Sequence, residues 1–138
     1  MMKLVQLKKD HEQIKDLIFD IEEILSEDKI KINHELILSK IMELDVIWDT
    51  HEKREEEMFP LLRKNGMDFP VETMIIEQHK EMRGHWKIIM DAAHSNDENE
   101  LIIALDTDGR MLFEKFRKHM EEEDKFFDEI LAKKEWIW

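Results

Sequence analysis

The sequence predicts an all-α protein, an up-down-up-down antiparallel four-helix bundle, on three observations. Glycine numbers three and proline two among 138 residues, too few for a fold of strands and hairpins. Apolar residues recur at helical spacing in four separate series. The breaks between the series are short, which makes successive helices antiparallel neighbours. A single domain over 1–138 is expected, long enough to bury a real core.

The first series, Leu7, Ile14, Leu17, Ile18, Ile21, Ile24 and Leu25, places a helix from about residue 8 to 27. The polar segment SEDKIKIN follows, and Asn33 is suited to cap the next helix. That second helix carries Leu36, Ile37, Ile41, Leu44, Ile47, Trp48, Phe59 and Leu62. Pro60 is expected to bend or restart it, because proline removes a backbone donor. Asn65-Gly66 closes it with a residue suited to the left-handed conformation. Pro70 fits the start of a third helix, whose core candidates are Met74, Ile75, Met82, Trp86, Ile89 and Met90. After SNDEN (95–99) comes a fourth, with Leu101, Ile102, Leu105, Leu112, Phe113, Phe116, Met120, Phe127 and Leu131. Gly109 weakens it locally.

Composition narrows the function. A net charge of −13 argues against a nucleic acid or an anionic membrane as partner. Without cysteine there are no disulfides, thiolate metal sites or thiol catalysis. The start, MMKLVQLKKDHEQ, lacks the apolar stretch of a signal peptide, and no window has the apolar run of a membrane span. A soluble cytoplasmic protein is expected.

The segment HEKREEEMFP crowds like charges within one turn, which costs a few tenths of a kcal/mol for each i,i+4 pair. Either that face is simply solvated or a cation sits among the acids. Two of the seven histidines carry a glutamate one turn later, His51 with Glu55 and His119 with Glu123. Such pairs project from one helix face, and imidazole with carboxylate suits iron, manganese or zinc. HxxxE arises often in acidic helices, and a single histidine on an apolar face is ordinarily core. Registration separates the two readings. In an antiparallel hairpin, residues equally far from the turn lie side by side. His11 and His51 have their midpoint at Lys31, Glu55 and His79 at Met67, and His79 and His119 at Asn99. All three midpoints fall in or beside expected turns. At about 1.5 Å of rise per residue, His11, His51, His79 and His119 should share one layer. Each lies on or beside an inward apolar stripe. His34, His85 and His94 fall outside it and read as surface or edge residues.

The elements DHEQIKDLI, HEKREEEMFP, EQHKEMR and HMEEEDKFF, in this order, resemble the hemerythrin family in its HHE cation-binding form. The resemblance spans nearly the whole chain. It implies a non-haem di-iron centre with oxo, hydroxo or carboxylate bridges, while ligand type alone leaves manganese, zinc or a single iron open. It makes His11, His51, His79 and His119 terminal ligands, and Glu55 with Glu123 or Asp124 the bridging carboxylates. The i+4 acid, usual in HHE members, favours Glu123, while Asp124 has the i+5 spacing of oxygen carriers. The carriers place another histidine where this chain has Arg83, and Glu52 or Glu56 is then expected to supply an oxygen ligand instead. The expected partners are O2, NO or peroxide, bound or sensed, or the protein serves iron and redox homeostasis. The alternative is a di-iron enzyme, a ferroxidase or peroxidase or a donor of iron for cluster repair. Two metal-free readings compete, a histidine phosphotransfer bundle and a plain interaction module. HKEMRG is out of register for the former. Trp136-Ile137-Trp138 either packs back on the bundle or marks a contact with another subunit.

Overall fold

A computed structural model describes residues 2–26, 32–64, 66 and 72–132. Four helical rods account for nearly all of them, and no strand occurs among them. The rods are α1 (Met2–Ser26), α2 (His34–Lys64), α3 (Glu72–His94) and a composite fourth. The fourth is α4 (Glu98–Ala104), a π-helical turn (Leu105–Gly109) and α5 (Arg110–Leu131). α1 packs against α2 and α5, and α3 against the same two, so the four rods close a ring. Among the described residues no helix is long and apolar enough to cross a membrane.

The rod ends follow local chemistry. Asn33 caps α2, its side chain accepting from the Leu36 amide at 3.0 Å. Gly66 adopts a φ of 77°, and its N–H bonds the Arg63 carbonyl at 3.0 Å, the left-handed closure expected there. Asp97 caps α4 by accepting from the Asn99 and Glu100 amides at 3.0 and 3.2 Å. The residues expected to form the other turns, 27–31, Asn65, 67–70 and the Trp136-Ile137-Trp138 tail, lie outside the described residues.

Three features depart from the sequence reading. α1 begins at Met2, not near residue 8, because Leu4 and Leu7 extend its buried stripe by another turn. Leu36 and Met74 are exposed, since each sits about 100° from the inward line set by Ile37 and Ile75. α2 runs unbroken through Pro60, which lies on its exposed side, where water can take the hydrogen bond the ring removes. The weak point expected at Gly109 takes the form of the π turn, a widening that inserts one residue into the helical ladder.

The apolar core comes in two parts. One, around Ile14, Ile18, Ile41, Leu44, Trp48, Phe113 and Phe116, fills the end of the bundle near the α3–α4 turn. The other, Leu4, Leu7, Met58, Phe59, Leu62, Ile75, Phe127 and Ile130, fills the opposite end. Each fully buried Leu or Ile contributes about 1.5–3 kcal/mol. Between the two lies a buried layer of Asp10, His11, His51, Glu52, Glu55, His79, His119 and Glu123. Eight buried polar residues are too many to be incidental in a bundle of this size, since such groups are seldom buried unless paired.

Candidate metal centre

Every rod sends one histidine into that layer. α1 gives His11, α2 His51, α3 His79 and α5 His119, and all four are buried. His11 Nε2 lies 3.0 Å from His51 Nε2, and His79 Nε2 lies 3.2 Å from His119 Nε2. The turn midpoints had placed these pairs at one level, and the two short distances fit that register.

Two of the layer's acids, Glu55 and Glu123, face these nitrogens, each one turn after a histidine. His51 Nε2 is 2.5 Å from Glu55 Oε1, and His119 Nε2 is 2.9 Å from Glu123 Oε1. His11 Nε2 approaches Glu123 at 3.3 Å, and His79 Nε2 approaches Glu55 at 3.8 Å. Two sets of donors result. His11, His51, Glu55 and Glu123 bring one atom each within 4.8 Å of one another, and Glu55, His79, His119 and Glu123 do the same. The sets share both carboxylates.

The protons of the ring nitrogens can be argued from the outer atoms. His11 Nδ1 meets Asp124 Oδ1 at 2.7 Å, His51 Nδ1 meets Asp10 Oδ2 at 3.1 Å, and His119 Nδ1 meets Gln78 Oε1 at 2.6 Å. Each partner atom is an acceptor, so each Nδ1 carries a proton, and each ring in its neutral form turns the lone pair of Nε2 inward. Lone pairs about 3 Å apart are relieved only by a proton or a metal cation between them. The carboxylates carry the same message. Both oxygens of Glu55 and both of Glu123 are buried without a hydrogen bond of acceptable geometry. Buried carboxylates lacking donors are costly, and a cation compensates them. Imidazole nitrogens with carboxylate oxygens therefore fit a metal ion of the borderline class.

The remaining expected residues stand around this centre. Asp124 braces His11, as above, and lies outside both donor sets. The reason is angular: at about 100° per residue, Glu123 shares the face of His119 whereas Asp124 is turned toward α1. Glu52 accepts from the Trp48 indole N–H and from Arg83 Nε, the latter at 2.8 Å. Glu56 accepts from Arg83 Nη2 at 3.1 Å. Arg83 thus clamps both acids that were candidates for an extra oxygen ligand. Asp10 and Gln78 were missed in the sequence, although each directly precedes a candidate histidine. Asp10 is itself held by Arg54 at 2.8 and 2.9 Å and by Gln6 at 3.0 Å. Of the other histidines, His94 bonds the Met90 carbonyl, and His34 and His85 sit partly exposed beside Glu98 and Asp108.

Aromatic rings seal the layer. Trp48 lies against His51, His79 and His119 at centroid distances of 5.7, 6.3 and 6.1 Å, and Phe116 stacks on Trp48. On the opposite side Phe127 stacks on His11 at 5.8 Å. One cleft reaches the layer from solvent between α3 and α5. It has a volume of about 230 Å³ and is lined by Gln78, Met82, Lys115, Lys118 and His119 among others.

Without a cation the layer compensates itself with protons. Burial pulls His51 down, but the Glu55 carboxylate 2.5 Å away and the hydrogen bond to Asp10 outweigh it and raise its pKa to about 9. Burial pushes Glu55 up, but the His51 charge and contacts from His119, His51 and His79 hold it well below the usual carboxylate range. Burial lowers His119, which stays neutral. Asp10 is opposed by burial, yet hydrogen bonds from His51, Gln6 and Arg54 hold it at about 2. A group whose folded pKa is raised stabilises the fold below its unfolded pKa and loses that contribution as pH climbs through the folded value. The metal-free protein will therefore lose stability between pH 6.5 and about 9 as His51 sheds its proton. Urea midpoints of chelator-treated protein across that interval test this, and a midpoint that rises with pH would contradict it.

The family model of the hemerythrin HHE cation binding domain matches residues 2–130. No curated protein and no solved structure matches the chain.

Proposed function

The chain belongs to the hemerythrin HHE cation-binding family, and from that premise we propose that its buried layer holds two iron ions with which it binds or senses O2, NO or peroxide, or serves iron and redox homeostasis. The observation that carries this reading is the pair of four-donor sets with Glu55 and Glu123 in common. A carboxylate with two oxygens can serve two cations at once, so shared acids between two histidine pairs suit a binuclear site. In this reading His11 and His51 would hold one ion and His79 and His119 the other, with Glu55 and Glu123 available to both. Iron bound there would supply one-electron chemistry and room for a small exogenous ligand.

The chain's own residues set the conditions. Asp124, Asp10 and Gln78 keep the Nδ1 protons and so aim three Nε2 atoms at the centre. Trp48, Phe116 and Phe127 keep bulk water out and strengthen the electrostatics inside. Arg83 stands where an oxygen carrier has another imidazole, and it holds Glu52 and Glu56 in ion pairs beside the His79 and His119 half. The lack of that nitrogen ligand makes sensing or reactive chemistry a better fit than reversible carriage.

Metal analysis of protein loaded anaerobically with ferrous ion should return two irons per chain. Exposure to O2, NO or peroxide should then change the optical spectrum. A chain that retains no metal rules out the proposal. A spectrum that cycles reversibly with oxygen pressure would make the protein a carrier instead.

A further inference from the structure

The two histidine pairs are alike in the layer and unlike behind it. In the pair from α1 and α2, both rings are backed by carboxylates, His11 by Asp124 at 2.7 Å and His51 by Asp10 at 3.1 Å. Asp10 is fixed in turn by Arg54 and Gln6. In the pair from α3 and α5 no carboxylate accepts from either ring. His119 is backed by the neutral amide of Gln78 at 2.6 Å, and Gln78 donates onward to Glu122 at 3.3 Å. His79 Nδ1 is buried without a hydrogen bond, and its nearest acid, Glu56 at 3.6 Å, is engaged by Arg83. An imidazole whose far N–H is held by a carboxylate is the stronger and better oriented donor, and such outer partners are worth about ten- to a hundred-fold in metal affinity. Access adds to the asymmetry. The cleft between α3 and α5 touches His119, with the acids Glu81 and Glu122 and the lysines Lys115 and Lys118 at its walls.

We propose that the two halves of the centre hold their ions unequally: His11 and His51 form a retentive half, and His79 and His119 an exchangeable half, filled and emptied through the cleft between α3 and α5. This rests on the two-iron reading above. A protein built this way passes between one-ion and two-ion states at a free ferrous concentration set by the weaker half. It can hand one ferrous ion to an acceptor, or report its scarcity, and keep the other. Gln78 is the residue that sets the difference, as a positioning residue acting through His119.

Release kinetics test this without any assay of reactivity. Protein loaded anaerobically with ferrous ion is freed of excess metal and mixed with an excess of a coloured ferrous chelator. Two phases of equal amplitude are expected, the fast one at least about ten-fold faster. Gln78→Glu combined with Glu122→Gln keeps the net charge and a hydrogen bond between the two positions, and should slow the fast phase by about ten-fold without touching the slow one. Asp124→Asn, a substitution at the layer's rim, should accelerate the slow phase alone. Two irons leaving in a single phase overturn the proposal but leave the two-iron reading intact. So does a slow phase that responds to the Gln78 swap in place of the fast one. Protein that never retains two ions defeats the two-iron reading itself, and this proposal with it.

Discussion

Replacing Glu123 by methionine will raise the stability of the metal-free protein and abolish its capacity for two metal ions. Glu123 is fully buried, and neither of its oxygens finds a hydrogen bond. Its neighbours within the layer, His119 and His11, keep their outer partners Gln78 and Asp124 when the carboxylate is gone. Methionine has a similar volume and fills irregular space readily. Exchanging a poorly satisfied buried charge for a packed apolar group is typically neutral or stabilising, here by about 1–3 kcal/mol. Denaturant unfolding of chelator-treated protein gives the stability, and metal analysis gives the stoichiometry. A lower midpoint for the variant, or two ions still bound, would refute the role assigned to Glu123. Natural sites commonly show this trade, in which a residue kept for binding weakens the empty fold.

His51→Ala and His119→Ala will each lose metal and, with it, the stability that metal confers. Ligand bound only to the native state adds RT ln(1 + [L]/Kd), which is about 2.7 kcal/mol at a hundred-fold excess over Kd. Each variant therefore loses a thermal midpoint shift that the parent shows on adding ferrous ion. The two should not behave identically. His51 also pairs with Glu55 in the empty protein, so its loss strands that carboxylate and destabilises the metal-free form as well. His94→Ala serves as the control, because His94 is exposed and bonds the Met90 carbonyl of its own helix. Equal loss of metal in all three would show that the layer is not where metal binds.

Much of this architecture was legible because a helix turns residue spacing into direction. Four apolar stripes predicted four rods, and the midpoints at Lys31, Met67 and Asn99 put the histidines in register before any coordinate was known. That one-dimensional test works only in antiparallel rods with short turns, where counting from the turn measures height. Angle was legible too, but less of it was used. Glu123 and Asp124 were left as alternatives, although a 100° step separates them. The structure sends one into the layer and the other to the back of the His11 ring. Asp10 and Gln78 were invisible for a different reason. Each reaches a histidine on another rod, some forty residues away, and a polar residue before a histidine carries no local signal. The π turn at Leu105–Gly109 was equally hidden: a glycine after Asp-Thr-Asp predicts weakness, not the added residue that the ladder accommodates. The early start of α1 was hidden because Leu4 alone continues the stripe beyond Leu7, too short a run to extend a pattern.

Splitting the interior into two oily halves has a mechanical result. Neither hydrophobic cluster touches the other across the histidines, so when the cation is absent the molecule has a seam at mid-height. Cooperativity in small proteins depends on contiguous packing, and regions joined through poorly satisfied polar contacts open separately. Loading the seam with two multiply charged ions would tie all four rods together at one level, as a rivet does in a stack of plates. Amide exchange in the smaller end, near Leu7, Phe59, Ile75 and Phe127, should then report whether the rivet is in place, at a distance from any chemistry it performs.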